Sequence, residues 1–221
     1  NPELVFTTEN NPNYSATSSN YAGHIKEPHT ISVSGDYMAL TMQDSWGFDN
    51  DTNGRSYVGF WDLSNLDKPA NVAPNEWVGP VLVKKVLLDG LAGGNYRTSP
   101  WWTSWNGRYI YIAGTDTGLY IVDAKDPENA SLAKFIPRAD LVSPQVVFAV
   151  GDRMILGTGV SSVMYDISDP LNPSRLLSDS RIKPVGYSSQ YRGGNFILSH
   201  EKVEVWDWRD PTNPVFLGES E

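Results

Sequence analysis

The three histidines of the chain are the side chains best suited to hold a transition metal, because imidazole is the commonest protein metal ligand and titrates near neutral pH. They are His24, His29 and His200. Two of them lie close together in the segment GHIKEPHTI, residues 23–31. A metal bound by all three would indicate a metal-dependent enzyme. The alternative is that His29 is an ordinary hydrogen-bonded turn residue, and the wide sequence separation of His200 favours that alternative.

The segment DNDTNGR, residues 49–55, has the D-x-D-x-N-G pattern that begins many calcium-binding loops. Asp49, Asp51 and Asn53 place oxygen ligands at alternate positions, and the glycine that follows permits a tight bend. The second half departs from the pattern, because Phe60 stands where an EF-hand requires glutamate. We therefore expect either a calcium site or a polar hairpin tip closed by an Asn-Gly turn.

The segment YRTSPWWTSW, residues 96–105, concentrates aromatic side chains beside an arginine. Tryptophan rings stack on flat ligands such as sugars, and the guanidinium of Arg97 could bind a carboxylate through two hydrogen bonds. Trp101 and Trp102 are adjacent, so in a strand their side chains would point to opposite faces. We expect one of them to pack inside the fold and the other to contact a ligand.

The composition of the chain excludes several functional classes. Its 221 residues are 40% hydrophobic and 19% charged, which is typical of a folded protein. A net charge of −9 argues against non-specific binding to nucleic acid or to an anionic membrane. There is no cysteine. The sequence also lacks any run of eighteen apolar residues, which is the length that would predict a membrane span. No phosphate-binding loop or dinucleotide fingerprint is present, so we expect no nucleotide cofactor.

An internal repeat predicts the elements that must position these residues. Four segments each contain a strand after a proline, a glycine turn, two further strands and a proline-containing turn before a fourth strand. Their third strands end at Asp62, Asp123, Asp166 and Asp207, which are 61, 43 and 41 residues apart. A period of about 40 residues is typical of a four-stranded β-propeller blade. We interpret these aspartates as structural, each accepting a backbone hydrogen bond in the turn that follows.

The sequence therefore predicts an all-β fold, a β-propeller with four recognisable four-stranded blades, in a single domain over residues 1–221. Residues 1–10 are expected to form the outer strand of a preceding blade. The four blades are expected at about 28–90, 100–137, 144–180 and 184–221. Because four blades are fewer than most propellers contain, we expect part of a larger, six- to eight-bladed ring. The chain opens at Asn1 rather than at a methionine, so we also expect a processed or trimmed chain.

Two stretches of the repeat carry a family resemblance. VMYDISDPLNP (163–173) and VEVWDWRDPTNP (203–214) resemble the LVIVD repeat, a family of β-propeller blades in bacterial and archaeal secreted proteins. The resemblance covers about residues 30–221 and is weak at 58–69. It implies a propeller fold and an extracellular or periplasmic location. It implies no catalytic residues, because the family has none in common that could be transferred.

The predicted topology separates a regular face from an irregular one. The strands of a blade, A to D from the axis outward, alternate in direction, so the D–A and B–C connections share one face. The long, unrepeated connections fall there, and binding sites favour such loops. Gln145 is expected at the axial mouth of this face. Its D–A loops carry three arginines, Arg97, Arg138 and Arg181. We expect their positive charge to attract an anion to this face.

These features predict a secreted or periplasmic platform that binds a ligand or a protein through its D–A/B–C face. A small anionic, aromatic or sugar ligand would suit the face, and the expected ligand-binding residues are Arg97, Trp101, Trp102, Gln145, Arg138 and Arg181. Expected cofactors are calcium at residues 49–53 and a transition metal at the histidines. Two alternatives stay open: a metal-dependent enzyme with a histidine-bound metal on the axis, and a structural part of a larger propeller that another chain or missing blades complete.

Overall fold

The described residues form four separate β-sheets, each with four antiparallel strands that follow one another in sequence. The computed structural model describes residues 28–42, 55–64, 80–92, 100, 102–158, 161–179, 189–199, 202–210 and 212–220. The expected strand over residues 1–10 lies outside this part of the chain. The all-β fold with four four-stranded blades is thereby confirmed, and the sheets are called blades 1 to 4 in chain order.

The strands of each blade follow one another from the inside outward. Blade 1 contains β1 (Pro28–Ser34), β2 (Tyr37–Met42), β3 (Arg55–Asp62) and β4 (Val81–Ala92). Blade 2 contains β5 (Trp102–Asn106), β6 (Tyr109–Ala113), β7 (Gly118–Asp123) and β8 (Ser131–Pro137). Blade 3 contains β9 (Val146–Val150), β10 (Arg153–Gly157), β11 (Ser162–Asp166) and β12 (Ser174–Asp179). Blade 4 contains β13 (Gln190–Arg192), β14 (Asn195–Ser199), β15 (Val203–Asp207) and β16 (Val215–Glu219). Single 3₁₀ turns occupy Pro127–Asn129 and Arg138–Asp140.

The middle strands of blade 2 are buried on both faces. Successive side chains in a strand point to opposite sides. Ile110 and Ile112 of β6 therefore pack in the core shared with blade 1, whereas Tyr111 and Ala113 pack in the core shared with blade 3. The sequence YIYIA suits this position because it offers an apolar side chain to each neighbour. The same alternation continues along β7.

The inner strands stack side by side in the order β1, β5, β9, β13. Short hydroxyl side chains join them. The hydroxyls of Ser32 and Thr103 lie 2.9 Å apart and connect blades 1 and 2. The backbone N–H of Ala149 donates to the hydroxyl of Ser104 at 2.8 Å and connects blades 2 and 3. Four-stranded sheets that stack along their innermost strands define the blades of a β-propeller.

The aspartates that end the third strands are structural, as the sequence predicted. Each carboxylate accepts the backbone N–H two residues later, over distances of 2.7 to 3.1 Å: Asp62 from Ser64, Asp123 from Lys125, Asp166 from Ser168 and Asp207 from Arg209. A second aspartate closes the next turn in the same way in blades 2, 3 and 4: Asp126 with Glu128, Asp169 with Leu171 and Asp210 with Thr212. The C–D turns therefore use their carboxylates within the turn itself.

These turns should make the stability of the protein sensitive to acid. The Arg209 side chain and backbone N–H lower the pKa of Asp207 to about 2, against about 3.9 for an unfolded aspartate. The folded state favours the ionised carboxylate, so this stabilisation is complete above about pH 4 and is lost as the pH falls through about 2. We expect the thermal unfolding midpoint, measured by circular dichroism, to fall over this interval and to fall less in Asp207→Asn.

Asp140→Asn is the matched control, because Asp140 is an exposed aspartate on the opposite face of the blades. It should keep the wild-type pH dependence. If the unfolding midpoint of Asp207→Asn fell with decreasing pH as steeply as that of the wild type, the stabilising role of ionised Asp207 would be contradicted.

Candidate functional site

The described part of the D–A/B–C face centres on Asp116, which lies in the B–C loop between β6 and β7. Its Oδ1 atom accepts a hydrogen bond from the Arg138 guanidinium at 2.8 Å and another from the Ser143 hydroxyl at 3.1 Å. Arg138 and Ser143 belong to the D–A connection between blades 2 and 3. One carboxylate therefore holds two loops together.

Backbone hydrogen bonds reinforce this junction. The N–H of Thr115 donates to the carbonyl of Pro144 at 2.8 Å, and the N–H of Arg138 donates to the carbonyl of Thr117 at 3.1 Å. The N–H of Gln145 donates to Gly157, in β10 of blade 3, at 2.8 Å. The D–A loop is thus joined to the B–C loop of its own blade and to the next blade.

The B–C loop adopts a backbone conformation that few residues tolerate. Thr115 has a φ of +50°, and among the described residues it is the one non-glycine residue with a positive φ. Such conformations persist where the surrounding contacts hold them, and they occur frequently at functional sites. Gly118 ends the loop with a φ of +144°, and a Cβ atom there would lie 2.2 Å from the carbonyl oxygen of Ile136.

Replacing Gly118 should therefore destabilise the junction. In Gly118→Ala the new methyl group meets backbone that cannot move aside without separating β7 from β8. We expect a loss of about 2 kcal/mol or more in the free energy of unfolding, measured by urea denaturation. Gly107→Ala is the control, because Gly107 has a φ of +58° but a Cβ atom there would meet nothing within 4 Å. Its loss should be about 1 kcal/mol, and equal losses in the two variants would contradict the steric explanation.

The predicted ligand-binding residues have different surroundings. Trp102 is half-buried and packs on Phe148 of blade 3, with ring centroids 5.6 Å apart. Arg138 is about half exposed and bonded to Asp116, as described above. Gln145 is exposed. The remaining predicted residues, Arg97, Trp101 and Arg181, lie outside the described residues.

The predicted metal ligands lie largely in the other part of the chain. His24, His200, Asp49, Asp51 and Asn53 are outside the described residues, and His29 is described only as backbone within β1. Within the described ranges, no group of three or more histidine, aspartate or glutamate side chains is placed to hold a metal ion. The same ranges contain no helix of the length and hydrophobicity that a membrane crossing requires.

Two buried tyrosines join the blades and keep their protons. The Tyr120 hydroxyl donates to the carbonyl of Asp89 in blade 1 at 2.5 Å. The Tyr111 hydroxyl donates to the carbonyl of Pro170 in blade 3 at 3.2 Å. Burial raises the pKa of both hydroxyls well above the usual value for tyrosine. Both residues therefore serve as structural contacts between blades rather than as acid–base groups near neutral pH.

Sequence reasoning did not identify Asp116 or Ser143. Both lie in short polar segments that resemble ordinary turns, and nothing local connects residue 116 with residue 138. The pairing of β7 with β8, in which Gly118 lies opposite Pro137, brings residues 116 and 138 together. The signal available in the sequence was the aspartate within a B–C loop of the irregular face.

A comparison with protein-family models supports the repeat that the sequence predicted. The family model of the LVIVD repeat matches residues 104–134, which run from β5 into β8 of blade 2. The chain thus contains an LVIVD repeat, and the resemblance seen in the sequence is confirmed. No curated protein sequence matches the chain.

Three solved structures match the chain at low similarity. The N-terminal domain of Nup159 is 9% identical, with 88% of this chain and 48% of that chain covered and a TM-score of 0.45. A europium-containing methanol dehydrogenase is 10% identical, with coverages of 83% and 36% and a TM-score of 0.44. PorZ, a surface component of the type-IX secretion system of Porphyromonas gingivalis, is 12% identical, with coverages of 85% and 21% and a TM-score of 0.34. The chain spans less than half the length of each.

Proposed function

We propose that the protein is a secreted or periplasmic β-propeller that acts as a ligand-binding or protein-interaction platform through its D–A/B–C face. The observation that supports this function is the junction at Asp116, where Arg138 and Ser143 bind one carboxylate. Loops that are held in place before binding lose less conformational entropy when a ligand arrives. The LVIVD repeat supports the location, since the family is found in secreted proteins.

The contrast between the two faces also supports this choice. The C–D turns bond their aspartate carboxylates to their own backbone, so these carboxylates are already engaged. On the D–A/B–C face, the Arg138 side chain is 54% exposed and retains N–H groups beyond the one that bonds Asp116. Gln145, in the same D–A connection, is also exposed. These groups can donate hydrogen bonds to an anionic or hydroxyl-rich partner.

The ligand we propose is a small molecule that combines a carboxylate with a flat or sugar-like body. Arg138, together with Arg97 and Arg181, would attract the negative charge, and Trp101 would stack on the ring. Asp116 would limit how strongly Arg138 alone attracts an anion, because the ion pair already offsets part of its charge. The proposed ligand class therefore needs several arginines rather than one.

Titration with glucuronate, a sugar that carries a carboxylate, tests this proposal. We expect nuclear magnetic resonance shifts of backbone amides to cluster at residues 114–118 and 137–145. Arg138→Ala should raise the Kd roughly tenfold, the value for loss of one charge-assisted hydrogen bond. Arg209→Ala is the matched control, because Arg209 is an exposed arginine on the opposite face and should leave the Kd unchanged. Glucose, without the carboxylate, should bind more weakly.

The proposal would be overturned if glucuronate moved no amide of these loops, or if the shifts were confined to the C–D turns. An unchanged circular dichroism spectrum of Arg138→Ala would show that a loss of affinity does not come from unfolding.

We also propose calcium as the cofactor, bound by Asp49, Asp51 and Asn53, whose oxygens suit that ion. Mass-spectrometric elemental analysis of undialysed protein should find calcium, and Asp51→Asn should abolish the increase in melting temperature that added calcium produces. Asp140→Asn is again the control.

The same elemental analysis tests the metal-dependent enzyme. About one transition-metal ion per chain that is lost in His29→Ala would favour this alternative, with His24, His29 and His200 as the metal ligands. Melting that is insensitive to calcium would rule out the calcium site.

A further inference from the structure

The Asp116 carboxylate identifies two donors of the D–A connection that bind a carboxylate group. Its Oδ1 atom accepts one hydrogen bond from the Arg138 guanidinium at 2.8 Å and one from the Ser143 hydroxyl at 3.1 Å. The bond from Arg138 is charge-assisted at both ends, and the bond from Ser143 comes from a neutral donor. Arg138 and Ser143 therefore converge on a single carboxylate oxygen.

The three side chains of this cluster can be reached from solvent. The side chains of Arg138 and Asp116 are 54% and 36% exposed, and Ser143 is partly buried. An ion pair between exposed side chains contributes little to stability, because water solvates both charges when they separate. An incoming carboxylate can therefore reach the donors that Asp116 uses, at a small cost for separating Asp116 from Arg138.

The loop that carries Asp116 does not depend on this side chain for its shape. A rotation of the Asp116 side chain toward solvent would leave the backbone of the loop, and its connection to the D–A segment, in place. Four backbone hydrogen bonds of 2.8 to 3.1 Å, each from an N–H to a carbonyl, provide this frame: Thr117 to Gly114, Gly114 to Gly118, Thr115 to Pro144 and Arg138 to Thr117.

The corresponding loop of blade 3 closes without any carboxylate. Residues 158–161 have the sequence TGVS and contain no acidic side chain. The backbone N–H of Thr158 donates to the carbonyl of Ser161 at 2.8 Å, and the Thr158 hydroxyl donates to the same carbonyl at 3.0 Å. Closure of a B–C loop in this fold therefore needs no aspartate, and it does not account for Asp116 in blade 2.

We propose that Arg138 and Ser143 form a carboxylate-binding subsite, which Asp116 occupies until the carboxylate of a ligand displaces it. The subsite deepens the function proposed above and rests on it, because it belongs to the same face and takes the same class of ligand. In the free protein, Asp116 is an internal competitor that lowers the affinity for anions. In the complex, the ligand carboxylate accepts the hydrogen bonds of Arg138 and Ser143, and the Asp116 side chain turns to solvent.

The Kd of glucuronate, measured by nuclear magnetic resonance titration, gives the first test. Asp116→Ala should lower this Kd about tenfold, because the ligand no longer competes with a resident carboxylate for the charge-assisted bond. The Kd of glucose should change little, since glucose has no carboxylate to place on Arg138. A Kd of glucuronate that is unchanged or higher in Asp116→Ala would overturn the proposal.

Asp140→Ala is the matched control for charge. It removes the same charge from the D–A connection that carries Arg138, and the Asp140 carboxylate makes no ion pair with any described residue. The Kd of glucuronate should therefore stay close to the wild-type value. If Asp140→Ala gained as much affinity as Asp116→Ala, the change in net charge would explain both gains and the displacement of Asp116 would be overturned.

The role of Ser143 is tested through its dependence on Asp116. In the wild-type background, Ser143→Ala removes a donor from Asp116 and from the ligand alike, so the two losses offset and the Kd should hardly change. In the Asp116→Ala background only the ligand loses this donor, and the Kd should rise about fivefold. A merely structural serine would change the Kd by the same factor in both backgrounds, and that result would remove Ser143 from the subsite.

The Asp116 side chain reports its own release in the wild-type protein. At saturating glucuronate, its carboxyl carbon resonance should move toward the position that it has in free Arg138→Ala, where its charged partner is absent. A resonance that stays in place would overturn the displacement. If Asp116→Ala does not fold, Asp116→Asn replaces it. The asparagine oxygen still accepts from Arg138 but carries no charge, so the Kd should fall by a smaller factor of about three.

Binding by the face and displacement of Asp116 can fail separately. If glucuronate binds the wild type and Asp116→Ala with the same Kd, the platform stands and the displacement is overturned. If glucuronate binds Asp116→Ala but not the wild type, Asp116 blocks the subsite, which supports the competition and overturns the function proposed for the wild-type face. Binding to neither protein overturns both.

Discussion

The constraint on which the rest of the structure depends is that each sheet must be covered on both faces by another sheet. In blade 2, β6 and β7 bury nearly every side chain, and alternate residues enter two different cores. No single blade could bury such strands alone. The burial of one blade therefore requires its neighbours.

The two loop faces are held by different kinds of interaction. The C–D turns are closed locally, because each aspartate bonds the backbone two residues later, and such turns form in any blade. The D–A/B–C junction is held by tertiary contacts, because Asp116 binds Arg138 and Ser143 from a separate loop. A repeated scaffold with one unrepeated, preformed face is suited to binding a partner. The geometry of the described residues offers hydrogen-bond donors rather than a poised acid–base pair.

The sequence predicted the contacts that are local in the chain and missed those between residues far apart in it. The structural role of the repeated aspartates was predicted because an Asx turn depends on residues within two positions of each other. Trp102 packs on Phe148, whereas Trp101 lies outside the described residues, so the expected division of roles between the two tryptophans stays a prediction. The ion pair of Arg138 with Asp116 was not predicted, because residues 22 apart in sequence meet only when β7 and β8 pair in the register that places Gly118 opposite Pro137. The calcium prediction concerns residues outside those described, and of the three histidines only the backbone of His29 is described.

The sequence by itself determined the elements: sixteen strands, their turns, the period of the repeat and the all-β class. These follow from alternation, β-branched and aromatic side chains, and turn residues, all of which act over a few positions. The tertiary structure decided which polar side chains meet on the D–A/B–C face and which apolar positions stay uncovered. Ile155 and Ile197 each stand four residues after the glycine in the first turn of their blade, yet Ile155 is buried and Ile197 is 36% exposed. The residue type is local information, whereas burial depends on whether a neighbouring blade is present.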